Sequence, residues 1–393
     1  MDGPAPVLLA VTGGIAAYRA CEVVRGLVKA DVGVQVAMTR SAQRFVGEVS
    51  FAGLSRRSVL TDDPMPGGPI YPHLDAARAA RVMAVVPCSA NTLARLAQGL
   101  ADDVVAESAL ALAGHLLVAP AMNHRMWLHP ATQQNLQTLI ARGATIVGPD
   151  QGSLAEGEEG LGRLAQPDRI VQAIRMQLGD GSLRGKRVLI TAGGTREPLD
   201  SVRYLGNRSS GRMGVALADE ALARGADVTT ILANTLVRPL GGVQIDAPTA
   251  ADLQRAAMEH APQADLILMA AAVADFRPAA PEAAKRPRVG GWDLRLEPTE
   301  DVLAGIAKQR RPGQVIVGFA AEDSEDIGRA REKLERKGVD LIVLNDISDP
   351  TIGFDATDNA VVLVTATDAQ HVSRAPKEQI AAAILDRLHT LTA

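Results

Sequence analysis

The side chains best suited to chemistry crowd one connection near the middle of the chain, residues 187–214, RVLITAGGTREPLDSVRYLGNRSSGRMG. Val188 to Thr191 reads as a short apolar strand that runs into Gly193 and Gly194. Asn207-Arg-Ser-Ser-Gly-Arg-Met-Gly214 then opens a helix that is apolar at Val215, Leu217, Ala218, Ala221 and Leu222. Strand, glycine turn and helix N-terminus together make a cradle for an anion. Backbone N–H groups and the positive helix end face it, and glycine lets the main chain approach. An ordinary strand-to-helix turn with glycine caps has the same outline. The polar residues tilt the reading towards phosphate: Thr191, Thr195, Arg196, Asp200, Arg203, Asn207, Arg208, Ser209, Ser210 and Arg212 share this one connection.

Other candidates lie at the carboxyl ends of expected strands, the edge where ligands sit in open α/β sheets. Strand Val7–Val11 precedes Thr12-Gly13-Gly14 and a helix from about 16 to 30, and strand Val34–Met38 precedes Thr39 and Ser41. Those two hydroxyls suit a phosphate or a ring, or Ser41 caps a helix. The segment TGGIAA falls short of a full GxGxxG, and no acidic residue ends the second strand, which argues against NAD. His73 closes the Pro/Gly-rich stretch 61–72, where a cap and a catalytic group are both open readings. Val82–Val86 leads to Pro87-Cys-Ser-Ala-Asn-Thr92, and Leu116–Ala119 to Pro120-Ala-Met-Asn-His-Arg-Met-Trp127, whose mix of Asn, Arg and Met suits an anion carrying an apolar ring. His124 and His129 are five apart with no thiolate or carboxylate beside them, so no metal site is read there. The glycine-rich stretch 148–164 reads as a mobile surface loop, either a disordered connection or a lid.

In the second half, strand Leu266–Ala270 places Asp275 just beyond its carboxyl end. Residues 276–296 carry three prolines, two adjacent glycines and Lys285-Arg-Pro-Arg288. This is either a solvated charge run or a basic flap that follows a triphosphate. Lys333 and Lys337 stand one turn apart on a charged helix at 324–337, where pairing with Glu325 to Glu335 explains them as well as a ligand does.

At 393 residues and 47% hydrophobic content, the chain can fill two or three sizeable cores. A net charge of −4 gives no reason to expect nucleic acid or an anionic membrane, and positive charge confined to loops suits small anions. Cys21 and Cys88 make no disulfide framework, the N-terminus lacks a basic n-region, and no apolar run is long enough to span a bilayer. A cytoplasmic location is expected. Strands alternating with helices, and a β–glycine turn–α–β start made twice, predict two doubly wound, mostly parallel α/β domains of Rossmann-like or flavodoxin-like kind. The expected boundaries are 1–180 and 186–393, joined at Gly179-Asp-Gly-Ser-Leu-Arg-Gly185. In the second domain the reading gives helices at 211–224, 299–308 and 324–337, and ends the sheet at Leu341–Leu344.

With these motifs in place, the whole chain resembles the bifunctional coenzyme A biosynthesis proteins, in which a phosphopantothenoylcysteine decarboxylase is fused to a phosphopantothenate–cysteine ligase. The first part carries TGGIAAYR (12–19), His73, PCSANT (87–92), PAMNHRMW (120–127) and GLGRL (160–164). The second carries TAGGTREPLDSVRYLGNRSSGRMG (191–214), AAAVADFRP (270–278), VGFAAED (317–323) and LNDIS (344–348). The resemblance implies FMN on Gly13, Gly14 and Ile15, with Thr39, Ser89, Ala90 and Asn91 around it. It implies His73 as the active-site histidine and Asn123 as the holder of the substrate carboxylate. Glu156 stands where similar proteins carry a lid cysteine, and Arg81 where they often carry Asp.

For the ligase part the resemblance implies CTP with Mg²⁺, an acyl-cytidylate on 4′-phosphopantothenate, and attack by the amine of cysteine. Asn207 would stabilise that intermediate and Lys285 would act from the flap. The flap reads AAKRPR in place of a KIKK-like run, so Lys285 is placed by its spacing from Pro281-Glu282, with Arg286 as the fallback. CTP contacts would come from Asp275, Phe319, Lys333 and Lys337, and from backbone around Met269, Ala270 and Ala271 and around Glu300, Asp301, Val302 and Leu303. No metal ligands are assigned. Homo-oligomers are implied, trimer-based for the first domain and dimeric for the second. The alternative is a ligase whose first domain binds flavin only to regulate.

Overall fold

Near-continuous aliphatic runs such as VLLAV and VMAVVPC have no polar face to offer solvent, and the structure buries them on both sides of parallel sheets. The computed structural model describes residues 4–63, 70–153, 157, 159–288, 290–322, 326–346 and 356–392. By its internal contacts the chain divides into two units, Met1–Gly179 and Asp180–Ala393.

In the first unit, strands Val34–Met38, Val7–Val11, Val82–Cys88, His115–Pro120 and Thr145–Ile146 lie side by side in that order, all parallel. This is the flavodoxin-like order, whose reversal falls at Val7–Val11. Successive side chains of that strand go to opposite faces. Val7, Leu9 and Val11 join a core with Val23, Leu27, Ile170 and Ile174, while Leu8 and Ala10 join another with Met83, Leu93 and Val105. The first helix starts as a 3-10 turn, Ile15–Arg19, before the α-helix Ala20–Lys29. Arg81 donates to the carbonyl of Leu178 at 2.7 Å, the last residue of helix Pro167–Leu178, so the departure at this position serves as a helix C-cap.

The expectation of a mobile loop at 148–164 fails at its two arms. Asp150–Ser153 and Glu159–Arg163 pair as an antiparallel hairpin. Gly162 accepts from the Met122 N–H at 3.0 Å, and the Leu161 N–H donates to Nδ1 of His124 at 3.1 Å. A Cβ at Gly160 would enter the His124 ring and one at Gly162 the Met122 carbonyl, so the glycines are what let the hairpin lie this close. Glu156 lies outside the described residues.

In the second unit, Val243–Asp246, Asp227–Ala233, Arg187–Gly193, Leu266–Met269, Val315–Glu322 and Leu341–Asp346 are parallel neighbours in that order, the Rossmann order with its reversal between Arg187–Gly193 and Leu266–Met269. The sheet does not end at Leu344 as expected. Asp358–Val364 and Ala369–Pro376 extend it antiparallel, and helix Lys377–Thr392 returns its apolar side to the core through Ile380, Ile384 and Leu385. Val188 and Ile190 face that helix and helix Arg212–Ala223; Leu189 faces the opposite core with Leu253, Ile306 and Leu334. Two short ribbons interrupt the connections, Arg196–Pro198 with Tyr204–Gly206, and Phe276–Pro278 with Leu296–Pro298. Among the described residues no helix is long and apolar enough to cross a membrane.

Candidate active sites

The reversal in the first sheet is bridged by one hydroxyl. Thr12 Oγ1 donates to the carbonyl of Pro87 at 2.6 Å and accepts the Ser89 N–H at 3.0 Å, tying the carboxyl ends of the first and third strands together. Gly13 is forced by space, since a Cβ there would stand 2.7 Å from that of Ser41, whereas Gly14 looks onto open volume. Thr39, not Ser41, caps the turn that follows, accepting the Ala42 N–H at 3.2 Å. Ser89 caps helix Ala90–Gln98 by accepting the Thr92 N–H at 3.3 Å, which leaves the Ala90 and Asn91 N–H groups without partners inside the helix. Gly13, Thr39, Ser41 and Ser89 thereby stand together at the carboxyl ends of neighbouring strands, at the sheet's reversal where such a fold opens a crevice, with Gly14–Ile15 and Ala90–Asn91 beside them in the chain. It offers free main-chain donors, a positive helix end and an exposed apolar side chain at Ile15, a donor set that fits a phosphorylated planar ring.

His73 is the second residue of helix Pro72–Ala79, at the junction of loop and helix. Its Nδ1 is 3.4 Å from a carboxylate oxygen of Glu107, and Tyr71 meets the ring edge-on at 6.4 Å. Among the described residues no hydrogen bond or ion pair joins it to Thr12 or Ser89. Asn123 follows strand His115–Pro120 and caps helix His124–Leu128 by accepting the Arg125 N–H at 2.8 Å. Cys88 is fully buried, and burial pushes its thiol far above the ordinary range, so it offers no thiolate.

The second unit holds a cavity of about 660 Å³ above the carboxyl ends of its central strands. Its walls are Asn207–Gly214, Met269–Asp275, Thr299–Leu303, Phe319–Ala321, and Lys333 with Lys337. Twelve positions read from the sequence meet here: Asn207, Met269, Ala270, Ala271, Asp275, Glu300, Asp301, Val302, Leu303, Phe319, Lys333 and Lys337. Lys285 does not; it is exposed, away from the lining. Asn345, Asn359 and Lys377 line the cavity and were missed. Asn359 and Lys377 carry no motif, and only the unforeseen antiparallel extension brings them near.

The polar crowding of 191–212 divides into two kinds. Thr191 and Thr195 are fully buried and accept the N–H groups of Ala271 (3.1 Å) and Ala274 (2.9 Å), zipping two loops together and leaving those hydroxyls engaged within the protein. Asn207, Arg208, Ser209 and Arg212 face the cavity. Asn207 donates to the Val273 carbonyl at 3.0 Å. Gly193 has φ 93°, and a Cβ there would enter the Ala233 carbonyl, so this turn requires glycine.

Lys337 pairs with Asp301, which also caps helix Val302–Lys308 by accepting the Ala304 N–H at 3.0 Å. Burial pushes the Asp301 carboxyl up, but Lys337 and that N–H hold it below the usual carboxylate range. Lys333 has no ion-pair partner among the described residues. Burial pushes its ammonium down, Lys337 and Arg336 push the same way, and Glu322 and Asp275 oppose them without prevailing. These lysines therefore line the cavity instead of pairing along their own helix, and Glu325 lies outside the described residues. Among those residues no group of three or more His, Cys, Asp or Glu could hold a metal.

A flavoprotein family model matches residues 1–179, and the model of the DNA/pantothenate metabolism flavoprotein C-terminal domain matches residues 183–391. The coenzyme A biosynthesis bifunctional protein CoaBC of Mycobacterium tuberculosis (strain ATCC 25618 / H37Rv) is 42% identical over 411 residues, covering 99% of this chain and 97% of that protein. Its counterpart in Bacillus subtilis (strain 168) is 40% identical over 364 residues, 91% and 89% of the two chains. A cysteine/cysteine sulfinic acid decarboxylase of an unknown prokaryotic organism is 38% identical over 354 residues, 87% and 98%. Matched by family models in both units and along nearly its whole length by such relatives, the chain belongs to the family of bifunctional coenzyme A biosynthesis proteins.

Proposed function

We propose that the second unit joins cysteine to 4′-phosphopantothenate at the expense of CTP, and that the first decarboxylates the phosphopantothenoylcysteine so formed to 4′-phosphopantetheine. The observation that carries this reading is the single cavity that gathers a helix N-terminus, two lysines, Asp275 and Asn207 from distant segments. The N-terminus of helix Arg212–Ala223 and the ammonium groups of Lys333 and Lys337 supply positive charge for a triphosphate. Met269–Ala271 and Glu300–Leu303 present backbone to the nucleotide, and Phe319 an apolar ring face. Asn207, already oriented by Val273, donates to the acyl-cytidylate. Asp275 is a carboxylate on the wall where strand meets flap, as Glu300 and Asp301 are on the flap's far side, and Mg²⁺ would suit such a place, where phosphate oxygens would complete its shell. Lys285 acts from the flap as cysteine's amine attacks.

In the first unit, the Thr12 crevice holds FMN through Gly13–Ile15, Thr39 and Ser89–Asn91. When bound, FMN accepts electrons from the cysteinyl thiol and returns them, which eases loss of the neighbouring carboxylate. Asn123 holds that carboxylate until it leaves. His73, with Nδ1 turned to Glu107, has its other ring nitrogen free to move a proton. Exposed Tyr204, Phe276 and Leu296 on the two ribbons, with Val202 and Leu294 next to them, offer the second unit a surface for dimers, and exposed Tyr18, Phe45, Val49 and Leu128 offer the first a surface for trimers. A cytoplasmic location fits two unpaired thiols.

The test is to supply CTP, Mg²⁺, 4′-phosphopantothenate and cysteine and follow products by mass. Conversion to 4′-phosphopantetheine supports both halves. A stall at phosphopantothenoylcysteine favours the alternative that the first unit binds flavin only to regulate, the reading that Glu156 motivates. Decarboxylation of free cysteine in place of phosphopantothenoylcysteine would reassign the first unit's substrate.

A further inference from the structure

The basic flap is held by a clasp that none of the roles above uses. Its stem is the ribbon Phe276–Pro278 with Leu296–Pro298, continued by the Ala279 N–H donating to the Arg295 carbonyl at 2.9 Å. Its tip is fastened to the loop Leu199–Arg203. The Glu282 N–H donates to the Leu199 carbonyl at 3.0 Å, and the Arg286 N–H to Asp200 at 3.3 Å. The half-buried indole of Trp292 carries two guanidinium groups over its ring, Arg203 at 5.3 Å and Arg286 at 5.1 Å from the centroid. Arg203 also donates to the Arg286 carbonyl at 3.3 Å, and Arg286 pairs with Glu282 at 2.7 Å.

Lys285 lies between these fastenings, exposed and outside the cavity lining. It therefore reaches the cavity only when the clasp gives way. We propose that Trp292 is a positioning residue of the ligase: held by the guanidinium groups of Arg203 and Arg286, it parks the flap in an open position, and a bound nucleotide triphosphate draws the flap off it. The two guanidinium groups that grip the ring are also cations, so a polyanion in the cavity competes with the indole for them. This inference rests on the proposed ligase function. It adds to that function the residue that holds the flap open, and with it a reporter built into the flap.

The test measures CTP–Mg²⁺ binding to the full-length protein by calorimetry and, in parallel, tryptophan emission. In the wild type the emission changes and saturates together with the heat; Trp292→Phe binds CTP but loses the optical change. Trp292→Ala removes the grip of both cations and tightens CTP binding about fivefold, the factor that one weak contact to each of two partly exposed guanidinium groups represents. Trp292→Phe, which keeps a ring, falls between. Normal CTP binding with unchanged Trp292 emission would overturn the inference while leaving the ligase reading intact. Weaker CTP binding by a folded Trp292→Ala protein, with circular dichroism and decarboxylase activity retained, would overturn it too. Absence of any CTP binding would instead sink the ligase reading.

Discussion

Gly214→Ala is a one-methyl test of the second unit's anion site. Gly214 lies in the first turn of helix Arg212–Ala223, and an added Cβ would stand 2.5 Å from the Cβ of Ala192 and 2.9 Å from the Thr191 carbonyl. Carbon atoms rest at about 3.5–4.0 Å, so about 1 Å of separation has to be found. Ala192 belongs to a strand paired on both sides and cannot yield, so the helix N-terminus moves. Such overpacking costs about 1–3 kcal/mol, and the helix preference for Ala over Gly returns at most about 1 kcal/mol. A net loss of about 1–2 kcal/mol corresponds to a fall in Tm of about 2–8 °C for a unit of this size. The larger effect is geometric. The displaced turn carries the N–H groups that face the cavity, and a misplacement of about 1 Å costs up to ~100-fold in rate. The assay follows phosphopantothenoylcysteine formation by mass, with decarboxylation of preformed phosphopantothenoylcysteine as the internal control. Ligase kcat/KM for CTP within about twofold of wild type, at unchanged Tm, would refute the reasoning.

His73→Asn is expected to lower decarboxylation by about 100-fold or more and leave ligation untouched; loss of both activities would contradict separate sites. Thr12→Val keeps the shape of the side chain but leaves the Pro87 carbonyl and the Ser89 N–H without their bonds, at a cost of about 1–3 kcal/mol. Flavin content per chain, read from visible absorbance, falls with Tm, and an unchanged flavin content would argue against the crevice as its site. Asp200 is a pH test. Burial pushes its carboxyl up, but the N–H groups of Arg203, Val202 and Arg286, with the Arg203 guanidinium, hold it below the usual range. A carboxyl depressed in the folded state adds stability above its unfolded pKa of about 3.9 and loses it as pH falls through the folded value. The stability gap between wild type and Asp200→Asn should thus be widest near neutrality and close in acid; a gap independent of pH would contradict it.

Much of the architecture was legible because parallel strands buried on both faces leave unbroken aliphatic runs, and glycines mark where they turn. Arg187–Gly193 and Val7–Val11 are of this kind. Asp358–Val364 and Ala369–Pro376 were not foreseen, and their absence from the reading hid Asn359 and Lys377, whose place at the cavity depends on that pairing. Residue type alone also could not separate Thr191 and Thr195, which spend their hydroxyls on the neighbouring loop, from Ser209 a few residues on, which faces the cavity. The same limit left Ser41 open between a ligand contact and a cap, the role that Thr39 fills. Lys333 and Lys337 had an acidic neighbour at every turn of their own helix. Only the position of Asp301 across the cavity shows where Lys337 points.

The threonine zipper also orders events during synthesis. Thr191 and Ala271, and Thr195 and Ala274, are 80 and 79 residues apart, and Arg187–Gly193 finds its second neighbour only in Leu266–Met269. Contacts this remote form late, because a long loop has to close before they repay it. A nascent chain that has not yet released Ala271 from the ribosome holds the phosphate-facing turn with neither zipper bond in place. The chemistry of the second unit therefore waits on a late contact, and a chain truncated before Ala271 should be seen by proteases as unfinished, whatever helices it already contains.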